Sequence, residues 1–492
     1  MRLDVEGVDI VSRSPTVLLN EADAADLGAH PLDRVHLDHG DGVAVGIVEL
    51  TDQLVPRGVV GVTRRLDYLS GHVDVSLAPT PASVRDIRKK LADVELEREE
   101  FERIVRDIAE DRLADVELGA YVAGVYANGL SLQETMHLTE HMTAVGEVIT
   151  WDREVVADKH CIGGVPGNRV TPVLVPIVAA AGLTIPKTSS RAVTSAAGTA
   201  DTMEVFCDVA FSKDEVVRLV EEVGACIVWG GAVNLSPVDD RIIRAETPLS
   251  LDPPGQLIAS ILSKKKSAGS THVVIDIPYG EGAKVESLAE AREFAADIRR
   301  VGAQLDLTVD CAITRGSQPI GRGVGPVLEA RDVLETLDGA GPADLRAKSI
   351  AIADVLFDCC DVDADATDLL DSGAAHARFR EIVDAQGGDP DVAVGDLTVG
   401  QHTRVVHAER AGVVTHIENR LVSDVARRAG APKDIGAGVD LHCHVGEAVE
   451  TGDPLCTVHA EVAAKRDDAT TLVENNEIIR VRGARETLVE RL

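Results

Sequence analysis

The sequence predicts an α/β fold built from four parts, on three observations. Short β-branched runs bounded by Gly, Asp and Pro open the chain. A helical hydrophobic period follows, and from residue 155 strands, Gly-rich loops and helices alternate. The parts are an N-terminal small β-barrel-like domain (1–84), a helical lobe (85–154, joined by about 237–267), an α/β domain with a mixed, largely parallel sheet (155–404) and a C-terminal α+β domain (405–492). At 492 residues, core burial is not limiting.

Taken in order, Val43 to Val48 and Val59 to Val62 are the strand-like runs of the first part. No catalytic cluster falls there, so it reads as a small barrel used for assembly. Leu91, Phe101, Ile104, Val105 and Ile108 fall at helical spacing. Ser131-Leu132-Gln133-Glu134 reads as a capping box opening a helix through Met136, Leu138 and Met142. His272 to Ile277 is a buried-strand run, followed by the loop Pro278 to Lys284 and a helix through Leu288 to Val301. A strand at Leu307 to Ile313 and a Gly-rich loop at Arg315 to Gly325 come next. Strand, loop and helix repeated this way imply a largely parallel sheet, with ligands at the carboxyl ends of the strands. Near the end, Val445 to Leu455 reads as the hairpin turn of a β-hammerhead. His442 and His444 have metal-like residue types but no third ligand, so strand surface is the expectation and no metal is assigned.

Asp and Glu number 82 against 49 Lys and Arg, a formal net charge of -33 spread along the whole chain. Such a surface repels nucleic acid and anionic membrane, both of which bind through Lys and Arg. It reads as a solubility surface for a very salty cytoplasm, where self-repulsion is screened. The eight Cys form no CxxC pair, as expected of a reduced cytoplasmic protein. No apolar run approaches ~18 residues and no charged-then-apolar leader opens the chain, so neither a membrane span nor a signal peptide is expected.

Residues 158 to 204 concentrate the chemistry. Two small-residue loops, Gly163 to Gly167 and Ser195 to Thr199, flank an apolar segment. Lys159, His160 and Arg169 accompany the first; Lys187, Ser189, Ser190, Arg191 and Thr194 accompany the second. Small residues let backbone N–H groups approach phosphate oxygens, hydroxyls donate, and cations balance charge. Two such loops suit two phosphates, or a phosphate and a sugar. A second stretch, 247 to 267, holds Asp252 before two prolines, Ser260 and Lys264 one helical turn apart, and the run Lys264-Lys265-Lys266.

Lys159-His160-Cys161-Ile162-Gly163-Gly164, the block from Ser190-Arg191 to Gly198-Thr199, and Ile258 to Lys265 resemble the thymidine/pyrimidine-nucleoside phosphorylase family, in the right order, over roughly residues 85 to 492. The variants Gly164 to Asn168, Lys187 to Ala192 and Leu249 to Gly255, with the extra N-terminal part, are closer to the family's archaeal branch. The resemblance implies phosphorolysis of a nucleoside 5′-monophosphate: AMP plus phosphate would give adenine and ribose 1,5-bisphosphate. It places nucleotide binding at Gly164, Ser190, Arg191, Ala192, Val193, Thr194, Ser195, Thr199, Ser260 and Lys284. Lys159, Ser189 and Thr199 match phosphate positions, and His160 and Lys264 match nucleoside contacts. Asp252 matches the proton donor, whose role calls for a pKa raised by burial. No cofactor is implied, phosphate being a co-substrate, and the partners are small molecules and further copies of the chain as a homodimer or larger oligomer. The family's usual Ser after Lys-His is Cys161 here, and a thiol donates weakly.

Three other functions stay open at this level. A pyrimidine-nucleoside phosphorylase would need no cation for a 5′-phosphate. A phosphoribosyltransferase would need an acidic pair for Mg²⁺, and Asp239-Asp240 reads instead as a solvated turn. A non-catalytic assembly protein would release no base. The charge makes one prediction independent of these: dialysis from molar salt into dilute buffer lowers the melting temperature and the activity. An unchanged melting curve with full activity would contradict it.

Overall fold

The computed structural model describes residues 1–483 apart from Arg13, Val193, Thr194, Asn234 and Ser250. The chain divides into two compact units, Met1–Gly146 with Ser236–Ser260, and Glu147–Leu235 with Ile261–Leu492.

The first unit opens with six strands, Arg2–Gly7, Thr16–Leu19, Arg34–Asp38, Val43–Leu50, Val59–Val62 and His72–Leu77. They close into a barrel in the order first, fifth, second, fourth, third, sixth. Alternation drives the closure: Val17 and Leu19, Val35 and Leu37, Val60 and Val62, and Val73 and Val75 are all buried. A closed barrel leaves no unpaired edge. Five helices follow in the same unit: Ser83–Leu91, Arg98–Ala109, Asp115–Asn128, Leu132–Ala144 and, from the later segment, Pro237–Glu246. Phe101, Ile104, Val105 and Ile108 pack with Tyr121, Leu138, Met142, Val238 and Ile242. Leu91 does not join them; it ends the preceding helix and is exposed. Ser131 caps its helix as expected, accepting from the Glu134 amide at 3.1 Å. The Glu134 carboxylate accepts from the Ser131 amide and from the buried Lys90 ammonium. Barrel and helices are tied by Arg34, which pairs with Glu117 and donates to the Arg112 carbonyl. Asp239 and Asp240 sit in the first turn of the helix Pro237–Glu246 rather than in a solvated turn, and Asp239 is buried.

The second unit is organised on five strands. Thr308–Arg315, His272–Tyr279 and Ala157–Cys161 form one parallel sheet, and Ile185–Ser189 pairs in parallel with Ala225–Trp229. A parallel bridge between Val156 and Thr184 joins the two sets. Every pairing among these five strands is parallel, so the antiparallel element expected of a mixed sheet lies elsewhere. It is Gly323–Val324, which leaves the α/β segment to pair antiparallel with Gly438–Leu441. Between strand and strand run helices such as Val170–Ala180, Leu288–Gln304, Pro326–Leu337 and Ala343–Cys359. Val170–Ala180 is apolar all round and buried over nearly its whole length, which makes it core rather than surface.

The C-terminal part holds two antiparallel sheets. Gly323–Val324, Gly438–Leu441, Pro454–Ala460 and His402–His407 form one; Ala448–Val449, Gly412–Ile417 and Ile479–Arg482 form the other. Ala448–Val449 and Pro454–Ala460 therefore enter different sheets, and the stretch from Val445 to Leu455 is a crossover rather than a hairpin turn. His442 and His444 follow the strand Gly438–Leu441 rather than lying in it. His442 Nε2 lies 2.7 Å from Thr457 Oγ1 and His444 Nε2 3.1 Å from the Gly321 carbonyl. Among the described residues no three metal-capable side chains converge, and no helix is long and apolar enough to cross a membrane.

Candidate active site

The strand Ala157–Cys161 runs through the middle of the parallel sheet and ends at the loop Gly163 to Gly167. Alternation along it sends Asp158 and His160 to one face and Lys159 and Cys161 to the other. Parallel register sets Cys161 beside Asp276 of the neighbouring strand. The loop needs its glycines: Gly164 has φ +87°, and a Cβ there would stand 2.9 Å from the Lys284 backbone nitrogen. Gly163-Gly164 and Lys284, far apart in sequence, are thus packed together.

Two buried carboxylates collect four lysines around this strand. Asp158, fully buried, accepts from Lys265 at 2.7 Å and Ser270 at 3.0 Å, with Lys187 Nζ 3.8 Å away. Asp276, also fully buried, accepts from Thr314 at 2.7 Å and pairs with Lys348 at 3.0 Å, with Lys159 Nζ 3.8 Å away. On each face of the strand two lysines meet one carboxylate, so each face carries one more cationic group than anionic when its lysines are protonated, in a desolvated place. The electrostatics register the excess. Burial, then Lys265 and Lys159, hold Lys187 well below the usual lysine pKa, and burial likewise lowers Lys159. Burial and the surrounding Lys265, Lys187, Lys264 and Lys159 hold His160 far below its usual value, so it is a neutral imidazole. Burial pushes the Asp276 carboxyl up, but Lys348 and Lys159 more than offset this and keep it ionised. An arrangement of this kind accepts an anion.

Cys161 is a neutral thiol, its pKa raised by burial and by Asp276. Its sulfur accepts hydrogen bonds, from the Gly163 amide at 3.4 Å and from Asn168 Nδ2 at 3.3 Å. The side chain anchors the loop, where a serine hydroxyl would donate outward. Arg169 adds to the positive field that lowers Lys159, but its side chain is committed within the chain. It is buried, pairs with Glu329, and donates to the Ala197 carbonyl at 2.7 Å and Thr199 Oγ1 at 3.3 Å. It is a strut between the two loops.

The second loop is already occupied by the chain itself. The Asp201 carboxylate accepts from the amides of Ala192 at 2.6 Å and Gly198 at 2.7 Å. Arg191 forms a bidentate pair with Glu204, reaches Asp201 at 3.3 Å and lies 4.9 Å over the Trp229 ring. Its charge is matched by two carboxylates, so the turn from Ser190 to Ala192 is a rigid wall and not a charged anion nest. A Cβ on Gly198 would meet the Ser190 carbonyl at 2.5 Å, which holds the wall against the loop. Ser189 donates to the Val228 carbonyl and Ser195 to the Ala197 carbonyl, leaving hydroxyl lone pairs as acceptors. Val193 and Thr194 lie outside the described residues.

The second unit thus carries Lys159, His160, Gly164, Ser189 to Ala192, Ser195, Thr199 and Lys284 in or after its parallel strands, and Lys264 on the helix Pro254–Ser267. Asp252 and Ser260 belong to the first unit. Ser260 is half-buried on the helix Pro254–Ser267, one turn before Lys264. Asp252 precedes that helix and is exposed, so the burial expected to raise its pKa is not supplied by the chain around it. Asp158, Asp276 and Lys348 were not singled out from sequence as site residues. An acidic residue inside the apolar run His272 to Ile277 is a signal for Asp276; Lys348 is one lysine on a helix and gives none.

Residues 86–146 match the glycosyl transferase family helical bundle domain, residues 153–376 the a/b domain of the same family, and residues 413–480 the pyrimidine nucleoside phosphorylase C-terminal domain. An AMP phosphorylase of Natronomonas pharaonis is 57% identical over 100% of both chains. One of Thermococcus kodakarensis is 47% identical over 98% of both. Among solved structures, an anthranilate phosphoribosyltransferase from Thermus thermophilus superposes with a TM-score of 0.52 at 16% identity, over 61% of this chain and 98% of that one, a likeness of fold.

The crowding of cations makes a stability prediction. Replacing Lys187 by Met removes an ammonium disfavoured by burial and by Lys265, while Lys265 and Ser270 still satisfy Asp158, so the ligand-free protein melts no lower than the parent. The stabilisation that inorganic phosphate gives the parent is largely lost. A lower melting temperature with an undiminished phosphate response would contradict this.

Proposed function

The chain belongs to the AMP phosphorylase family, and from that membership we propose that it cleaves AMP with inorganic phosphate, releasing adenine and ribose 1,5-bisphosphate. The observation that carries the reading is the surplus of buried lysines over carboxylates on both faces of the strand Ala157–Cys161, Lys159 and Lys348 on Asp276 and Lys187 and Lys265 on Asp158. A phosphate beside Lys159 and Lys348 supplies the missing negative charge on its face.

Cleavage of an N-glycosidic bond develops positive charge at the ribose C1′ and negative charge on the departing base. The nucleophile must be held in line below C1′, and the base must be protonated as it leaves. In this reading Lys159 and the amides of the Gly163 to Gly167 loop hold the attacking phosphate. Thr199, which accepts from Arg169, contributes its hydroxyl as a donor, and Ser189 contributes one by giving up its bond to the Val228 carbonyl. Lys284, packed on Gly163-Gly164, is the exposed cation best suited to the 5′-phosphate, because Arg191 is committed to Glu204 and Asp201. The turn from Ser190 to Ala192, with Ser195, borders the nucleotide, and the resemblance assigns Val193 and Thr194 to the same role. His160, neutral among cations, offers the sugar a hydrogen bond without adding charge. Lys264 and Ser260 face the nucleoside from the helix Pro254–Ser267.

Asp252 is the proton donor to N7 of the purine. It is exposed, and in this reading it gives up its proton as negative charge grows on the departing base. The Cys161 thiol is neutral and engaged as an acceptor, and takes no part as a nucleophile; phosphate itself attacks. The reading includes assembly as a homodimer or larger oligomer, for which Val116 and Tyr126, exposed on the helix Asp115–Asn128, supply apolar surface.

The test is phosphate-dependent base release from each nucleoside monophosphate and its nucleoside, in molar salt. AMP is expected to turn over fastest, with no release when phosphate is omitted. Asp252→Asn is expected to lower kcat by roughly 10²- to 10⁴-fold with nucleotide binding retained. Faster turnover of thymidine or uridine than of any monophosphate would overturn the reading.

A further inference from the structure

We propose that Lys348 is a second ammonium of the phosphate cradle and contacts the attacking phosphate beside Lys159; the inference rests on the phosphorolysis reading and extends it. Lys348 comes from the helix Ala343–Cys359, well removed in sequence from the two small-residue loops. Its side chain is 9% exposed, and its Nζ is buried without a hydrogen bond of good geometry among the described residues. It meets one group, Asp276 Oδ2, at 3.0 Å. That same oxygen lies 3.8 Å from Lys159 Nζ and accepts from Asn168 Nδ2 at 3.5 Å. The other oxygen of Asp276 is taken by the Thr314 hydroxyl at 2.7 Å.

The donor count does not balance. Each ammonium has three N–H donors, and the two share a single carboxylate oxygen. Buried donors left unmade are costly, and two cations sharing one anion leave charge uncompensated. A group that supplies several oxygens and at least one negative charge resolves both deficits. Inorganic phosphate does so, and a sugar hydroxyl does not. The position fits as well. Cys161 lies beside Asp276 in register, and both Lys159 and Lys348 lower the pKa of its thiol against the effect of burial. Lys348 therefore stands next to the one loop anchor whose weak thiol cannot donate strongly to a phosphate, and supplies the donor that the thiol does not.

The rival reading is that Lys348 only holds Asp276. Steady-state phosphorolysis of AMP separates the two. Lys348→Gln keeps a donor for Asp276 and removes the charge, while Lys348→Arg keeps the charge. With the inference correct, K348Q raises the KM for inorganic phosphate by about 10- to 100-fold, the size of one charge-assisted hydrogen bond. The KM for AMP stays within about twofold, and K348R recovers much of the loss. Should K348Q fold poorly, the thermal shift given by inorganic phosphate is compared for K348R, Lys348→Met and the parent, and is smallest for the Met variant. A folded K348Q with the parent's phosphate KM, or an undiminished phosphate shift in K348M, overturns the inference while leaving phosphorolysis intact. Phosphate-independent release of adenine by the parent chain overturns phosphorolysis itself.

Discussion

Four lysines buried against two aspartates, Asp158 and Asp276, are the constraint on which the rest of the second unit depends. Charged groups of this kind are expensive to desolvate unless they are paired, and here the pairing is incomplete by one on each face of the strand Ala157–Cys161. The parallel sheet makes the arrangement possible. Its strands end together, so residues distant in sequence bring their charges to one place, and the helix Pro254–Ser267 delivers Lys265 while Ala343–Cys359 delivers Lys348. Stability is given up locally for an electrostatic site that is complete only with an anion.

The same imbalance explains why the two loops differ. At the first, backbone amides sit beside uncompensated ammonium groups, and Cys161 and Asn168 hold the backbone in place. At the second, Asp201 fills the amide nest and Glu204 matches Arg191. An internal carboxylate in the position of a ligand turns a cradle into a wall. Arg169 couples the two by donating to Ala197 and Thr199 while its charge is met by Glu329. The Arg191 side, one guanidinium with the two carboxylates Asp201 and Glu204, carries no surplus positive charge, in contrast to the Lys159 side.

Much of this was legible in the residues. The barrel strands, the Ser131 cap and the strand, loop and helix alternation follow from local periodicity and turn chemistry, which act over a few residues. Lys159, Gly163 and Gly164 stand out in the sequence as small residues beside a cation, and Lys284 through the family resemblance and its Gly-rich loop. Three things were not. The commitment of Arg191 and Arg169 to internal carboxylates depends on Asp201, Glu204 and Glu329, whose acidic side chains look like ordinary surface in a chain with a net charge of -33. The separate sheets entered by Ala448–Val449 and Pro454–Ala460 depend on long-range pairing that a hairpin-like spacing conceals. The role of Lys348 depends on where its helix packs, and helical lysines are commonly solvated. The exposure of Asp252 is likewise a property of tertiary placement, and two prolines after it gave no sign of it.

The central claim is that the buried lysine cluster is completed, electrostatically, by phosphate. Proton linkage tests it without any turnover. Lys187 and Lys159 have pKa values lowered from 10.5 in the ligand-free protein, so an arriving dianion raises them again and draws protons onto the cluster. Inorganic phosphate is titrated calorimetrically into the protein in molar salt, at mildly alkaline pH where it is already a dianion, in two buffers of different ionisation enthalpy. The predicted result is net proton uptake on binding, with affinity weakening as pH rises below the ordinary lysine range. Binding with no buffer dependence, or with net proton release, would contradict the claim.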